Sequence, residues 1–283
     1  MRAVARESSS IPLPTGEQTT AGSEKSAWDQ KKTIKPRPRT MSRVEIYSPE
    51  GLRTDGRRYN ELRQFSCTLN THPVAADGSS YVQMGATKVV CMVRGPREPE
   101  SRSHTNVDRA YVSVSINIAP YSTTDRNKRA RNDRRVQEMS MIIQRTFDQV
   151  ILGHLHPRTE IAVSIHVLAQ DGGMFAACVN ATCLALIDAG VPMYNYVSAS
   201  SAALYDSTAL LDPNNLEEQE LSFATVGVVG KSEKTCMLLL ENRLPLDRTE
   251  PVLALAIAGC HSLQDQMDRQ VRKHGKHRLE KRS

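Results

Sequence analysis

No run of apolar residues in the chain is long enough to cross a bilayer, and no short apolar core of a secretory signal stands near its start. The six cysteines (Cys67, Cys91, Cys178, Cys183, Cys236 and Cys260) include no CxxC pair, and no histidine sits at zinc-ligand spacing around them. A zinc module is therefore not encoded in any familiar form. Most of these cysteines lie in apolar runs and read as buried, reduced thiols. Internal repeats are lacking too. The expectation is a soluble intracellular protein. Its 283 residues suffice for one large or two small domains with an ample core. A formal charge of +6 and a pI near 9.0 suit a polyanionic partner without specifying one.

Residues 1–41 are rich in Ser, Thr, Pro, Lys and Arg and have no apolar periodicity. Such a segment cannot bury enough surface to fold alone, so a disordered basic extension is expected there. A solvated tail is one reading; a nuclear-import signal or an RNA-contacting arm are the others. A folded body is expected over 42–265, with Met41 a candidate alternative start, and a basic C-terminal tail over 266–283.

Within the body, Phe65–Leu69, Ser80–Met84, Thr87–Val93 and Tyr111–Ile118 read as strands of an antiparallel sheet. Between Thr123 and Arg135, six cations fall among thirteen residues: Arg126, Lys128, Arg129, Arg131, Arg134 and Arg135. That density forbids core packing and leaves a solvated loop or a track for phosphates. A helix is predicted from about Arg134 to Leu152. Val136, Met139, Met141, Ile142, Phe147, Val150 and Ile151 are its apolar positions, and Gly153 is its stop. Strands follow within Tyr194–Leu211, and Leu221–Val229 with Thr235–Glu241 form a hairpin. A long helix over Pro251–Val271 comes last, and the basic end beyond it is expected to fray. His274 and His277 stand at i, i+3, but the surrounding cations argue against a metal.

One stretch carries most of the functional information. Glu160–Leu168 alternates like a half-buried strand, and Ala176–Ala189 repeats apolar residues at helical spacing until Gly190, a C-terminal cap, and Pro192. Between them lies Asp171-Gly172-Gly173. A glycine turn opening a helix aims N–H groups and a positive dipole end outward, as at anion sites; a plain tight turn reads the same way.

This stretch resembles the RNase PH family of phosphorolytic exoribonucleases. Other family-like segments stand in the same order: Arg53–Arg58, Met84–Cys91, Pro120–Thr123, Arg134–Glu138 and Ala209–Asp212. Leu155–Arg158 and Asp188–Met193 resemble in particular the family members that build the ring of the RNA exosome. The resemblance covers roughly residues 44–270 and implies an α+β, RNase PH-like fold of mixed or antiparallel sheets with packed helices. It also implies RNA as a partner, related subunits in a hexameric ring, cap subunits and a separate nuclease, with no membrane and no cofactor. The expected location is the nucleus, including the nucleolus, and the cytoplasm.

The resemblance further assigns roles, and here the chain departs from the pattern. Active members follow the Gly-Gly turn with Ser or Thr and then Arg, which hold the attacking phosphate; here Met174 and Phe175 follow Gly173. Two apolar side chains desolvate an anion without pairing it, at roughly 1–3 kcal/mol per lost partner. Asp212 stands where active members carry a catalytic aspartate, and Glu218 replaces a second one six residues on. Arg134 matches an arginine that contacts RNA or phosphate, and Arg126, Lys128, Arg129 and Arg131 extend that surface. The leading expectation is a non-catalytic ring subunit acting in rRNA processing and mRNA turnover. The alternative is an active phosphate-dependent 3′-to-5′ exoribonuclease built on Asp212 and Glu218. Hydrolysis by a metal-bound carboxylate pair is a third, weaker class.

Overall fold

The computed structural model describes residues 46–48, 50–99, 107–123, 126 and 133–281. The extension expected over 1–41, and Lys128, Arg129 and Arg131, lie outside them. Among the described residues the first sheet holds β1 (Phe65–Leu69), β2 (Gly78–Met84), β3 (Thr87–Arg97), β4 (Tyr111–Ile118) and β5 (Glu160–Ala169). Their spatial order is β1-β2-β3-β5-β4. The second sheet holds β6 (Val197–Tyr205), β7 (Thr208–Leu211), β8 (Ser222–Val229) and β9 (Thr235–Leu240), in the order β7-β6-β8-β9. The helices are α1 (Arg134–Val150), α2 (Met174–Ala189), the short α3 (Asn215–Glu220) and α4 (Leu246–Glu280). The fold is α+β.

The first sheet is mixed, not antiparallel throughout as its early strands read. β4 runs parallel to β5, with Val112 beside Ile161, because α1 carries the chain back across the sheet before β5 begins. Val89, Cys91, Val93, Val112, Ile161, Val163, Ile165 and Val167 are buried and alternate with half-exposed or exposed neighbours along their strands. This period of two turns one face to the core and leaves the other to solvent.

The buried face is covered by α1 and α2. Met139, Ile143, Phe147 and Val150 of α1 point inward. Ile143 was not among the expected apolar positions, and Met141, which was, is half exposed at 49%. α1 also ends earlier than predicted. Ile151 is extended and bridges Met193, so Gly153 opens a short 3₁₀ turn and does not stop the helix.

α2 lies between the two sheets. Fourteen of its sixteen residues are buried, which is why its apolar residues surround it and leave no polar stripe. Its polar residues fix its position: Asn180 Nδ2 donates to Ala199 O (2.9 Å) and its Oδ1 accepts from Ala199 N (2.8 Å). Gly190 caps the helix in the left-handed region (φ 76°), as the sequence implied. Cys91, packed against α2, and Cys183 within it are buried, and burial pushes both thiols up to about 12, so they are poor nucleophiles.

α4 covers the far side of the second sheet, with Val252, Ala256 and Cys260 packed in one cluster with Ala202, Val226 and Val228. It starts five residues before Pro251, which sits in its second turn and removes one backbone bond without ending the helix. The basic end expected to fray is helical through Glu280. His274 Nε2 and Arg278 Nη1 each lie 3.6 Å from the buried carboxylate of Asp188, at the end of α2, which holds that end down.

The tightest packing joins β2 to α2. A Cβ on Gly78 would come within 2.3 Å of both Ala185 O and Ala189 N. Gly78→Ala should therefore destabilise the protein by about 2 kcal/mol or more, an overpacking cost against backbone that cannot yield. Thermal unfolding checks this, and an unchanged midpoint would show that α2 can move away.

Candidate functional site

The site forms where three chain turns converge: the lead into β1, the β5–α2 turn and the β7–α3 turn. Gly172 and Gly173 both adopt positive φ (75° and 59°). A side chain at Gly172 would reach 2.5 Å from Pro213 O, and one at Gly173 would reach 2.7 Å from Arg63 Nη2. Both glycines are thus required by conformation and by space. Thr87 steadies the turn, accepting from Asp171 N (3.0 Å) and donating to Gly172 O (2.7 Å).

Arg63 connects the three turns. Its Nε and Nη2 hold Asp212 Oδ2 and Oδ1 at 3.0 and 2.7 Å, a bidentate pair. Its backbone N–H also donates to Oδ2 (3.0 Å), and its remaining donors reach Asp171 O and Gly172 O. The side chains of Arg63 and Asp212 are 5% and 1% exposed. Burial pulls the Arg63 guanidinium down, but Asp212 outweighs it and the net shift is upward. Asp212 itself sits at φ 54°, a left-handed conformation uncommon outside glycine.

A second arginine anchors the same turn. Arg53 is buried, and its Nη2 donates to Leu211 O (2.6 Å) and Tyr59 O (3.1 Å). Its Nη1 reaches Glu217 Oε2 at 3.5 Å. Glu217 closes a capping box with Asn214 at the start of α3. Desolvation holds Arg53 below its ordinary value, with Glu217 opposing.

Glu218 completes the site. Its Oε1 accepts from Gly173 N at 2.6 Å, at the N-terminal end of α2. The position that the glycine turn prepares for an anion is taken by a carboxylate of the same chain. Burial pushes Glu218 up to about 7; the Gly173 N–H and Arg63 lower it, while Glu241 and Asp212 raise it. Desolvation here costs an anion more than the N–H and the guanidinium return.

Gly173, Asp212 and Glu218 are thus brought together, and Met174 and Phe175 follow Gly173 as the first residues of α2. Met174 and Phe175 are 7% and 6% exposed and belong to the core. Arg134 lies on the surface and pairs with Glu138 Oε1 (3.0 Å), an i,i+4 contact. Arg135 holds Glu241 Oε2 at 2.6 Å. Glu241, the partner of Arg135, lies within electrostatic reach of Glu218. Arg126 is exposed. Sequence reasoning missed Arg63 and Arg53. Arg53 stands out in the sequence only within the family-like segment Arg53–Arg58, and Arg63 has no signal beyond a lone cation between the apolar Leu62 and Phe65.

Two outcomes are expected from this geometry. Asp212→Asn leaves Arg63 buried without its counter-charge and should cost about 3 kcal/mol, with a smaller added loss when Arg63→Gln is combined with it. Additive losses in a double-mutant cycle would contradict the pairing. Glu218 in the folded chain holds its proton up to about 7, whereas its ordinary value is 4.5. Its contribution is complete below that ordinary value and is lost as the pH rises through 7. Glu218→Gln should therefore gain on the native protein in stability between pH 5 and pH 8; a constant difference across that range would place Glu218 in water.

Comparison with known proteins agrees with this architecture. Residues 61–192 match the family model for domain 1 of the 3′ exoribonucleases, RNase PH, and residues 195–259 match domain 2. The first match takes in the first sheet with α1 and α2; the second takes in the second sheet and the first turns of α4. Exosome complex component SKI6 of Saccharomyces cerevisiae is 51% identical over 240 residues, covering 84% of this chain and 98% of that protein. Its namesake in Schizosaccharomyces pombe is 45% identical, covering 83% and 97%. Among solved structures, rice Rrp46 superposes with a TM-score of 0.69 at 28% identity, over 78% of this chain and all of that one. By fold, motif order and sequence identity, the chain belongs to the RNase PH family of 3′ exoribonucleases.

Proposed function

We propose that the chain is a non-catalytic subunit of the RNA exosome ring, lining an RNA path and leaving cleavage to another polypeptide. The family and the exosome components among its relatives support the assembly. One observation carries the absence of catalysis: the Gly173 N–H is bonded to Glu218 Oε1 at 2.6 Å. An incoming phosphate would have to displace that carboxylate. It would then meet the same desolvation with more charge, beside Met174 and Phe175 in place of a hydroxyl and a guanidinium. Asp212 supports the same reading, because both its oxygens are committed to Arg63. Phosphoryl transfer depends on a positioned nucleophile and on charge stabilisation, and at this turn the Gly173 N–H and the Arg63 guanidinium are already bonded within the chain.

The partners in this reading are RNA, other RNase PH-like subunits in a hexameric ring, cap subunits and a separate nuclease. It places the protein in the nucleus, the nucleolus and the cytoplasm, in rRNA processing and mRNA turnover. Arg126 and Arg134 are the described cations offered to the RNA. Arg134 can exchange Glu138 for a phosphate cheaply, since an exposed i,i+4 pair is worth only about 0.3–0.5 kcal/mol. Lys128, Arg129 and Arg131 extend the same run in sequence.

The decisive experiment is RNA degradation by the purified chain assembled with its ring neighbour, with and without inorganic phosphate. No nucleotide release in either condition, with RNA still bound, is the expected result. Nucleoside diphosphates released only with phosphate would overturn the reading. Replacing Arg126 and Arg134 together by glutamate should weaken RNA binding and reduce the slope of log K against log salt by roughly 1.4, about 0.7 for each lost single-strand phosphate contact. An unchanged slope would remove both residues from the RNA path.

A further inference from the structure

A groove away from this site follows β1, and the proposed catalytic silence does not explain it. β1 is the edge strand of the first sheet, paired on one side with β2. Asn70 N donates to Ser79 O and Gly85 N donates to Gln64 O, both in register with the β1–β2 ladder. Hydrogen bonding alternates along an antiparallel pair, so the even-numbered residues of β1 face β2. The N–H and C=O groups of Phe65, Cys67 and Leu69 therefore point out from the sheet. Among the described residues, no strand pairs with them.

The last turns of α4 stand beside this edge. Gln270, Lys273, His274 and His277 recur at helical spacing and face β1 across a hollow of about 530 Å³, whose floor is Cys67, Thr68 and Leu69. Glu280 closes its far end. A second hollow of about 290 Å³ continues along Phe65 and Cys67 beneath Gln266 and Arg269. A helix packed on a sheet ordinarily fills such a space with apolar side chains. This one presents amide and cationic groups, and the space stays open. Arg272 and Arg278 are occupied by Asp268 and Asp188. Lys273 and Lys276 have no ion-pair partner among the described residues.

We propose that this groove receives an extended acidic peptide segment, which adds as a strand to the edge of β1 and sets carboxylates against Lys273 and Lys276. The free main-chain groups select an extended peptide, since strand addition takes its hydrogen bonds from a row of unpaired N–H and C=O groups. The cations select acidic side chains. RNA fits less well: the first hollow is lined by no Phe, Tyr or Trp to stack a base, and Phe65 of the second is packed against the core. The chain's own residues 1–45 carry nine Lys or Arg against five Asp or Glu, so like charge disfavours them. The inference stands whether or not the glycine-turn site is catalytic.

Fluorescence anisotropy on the full chain tests the proposal, with a labelled ten-residue peptide alternating glutamate with valine and threonine. The expected result is saturable binding that weakens at least tenfold with Lys273→Glu/Lys276→Glu, both exposed positions that leave the core intact. Binding should fall similarly when alternate peptide amides are N-methylated, which blocks strand addition. A lysine version of the peptide should not bind. Three results would overturn the proposal: equal binding of the lysine peptide, no effect of N-methylation, or an oligouridylate that binds more tightly and shows the same loss in the double variant.

Discussion

Arg63 is the contact on which the geometry of the site depends. It sits at the entrance to β1 and holds, with one guanidinium, the side chain of Asp212 and the carbonyls of Asp171 and Gly172. Those groups are 108 to 149 residues away along the chain. A buried ion pair is weak evidence for net stability, because desolvation offsets much of the attraction. Its effect lies in specification. With five donors in a fixed fork, Arg63 is satisfied only when the glycine turn, the Asp212 turn and the first sheet all stand where they do. Arg53 repeats the arrangement one step further out, through Leu211 O and Glu217.

That constraint also underlies the proposed non-catalytic role. Asp212 accepts two bonds on Oδ2 and one on Oδ1, all from Arg63, so the arginine fixes its orientation. Glu218 is longer than an aspartate by one methylene, and its carboxylate ends on the Gly173 N–H. The same loop that could present an acid to a substrate presents it to the helix end instead. In the proposed reading, the burial of apolar Met174 and Phe175 and the bond from the Gly173 N–H to Glu218 are complementary. Apolar side chains enter the core, and the orphan N–H they leave behind finds an internal acceptor.

The motifs made the fold legible because they lie on strands and helices with strong periodicity. β1 and β4 and the cap at Gly190 match their sequence readings residue for residue. The parallel pairing of β4 with β5 was not legible, since alternation is identical in both orientations until the crossover is known. The start of α4 was misplaced because Pro251 is favoured at a first turn and is tolerated in a second when packing on β6 and β8 holds the helix. At the site, Met174 and Phe175 could be read as a departure because the glycines fix their positions. Arg63 could not be read as a site residue, because its partners are contributed by two distant turns and nothing local marks it.

Net charge illustrates the limit of composition. A charge of +6 suggests one basic surface, yet the cations divide into groups with different physics. Arg53 and Arg63 are buried and serve internal carboxylates and carbonyls, so they contribute little field outside. Arg134, Arg135 and Arg272 lie at the surface in ion pairs and can trade one anion for another, whereas Arg278 is held by the buried Asp188. Lys273 and Lys276 are exposed beside an open strand edge and pair with no acid among the described residues. A phosphate backbone is attracted to exposed charge wherever it lies, but a peptide strand needs charge and unpaired main-chain groups in register. Only the fold places Lys273 and Lys276 next to such groups, and that juxtaposition separates a partner surface from a generally basic one.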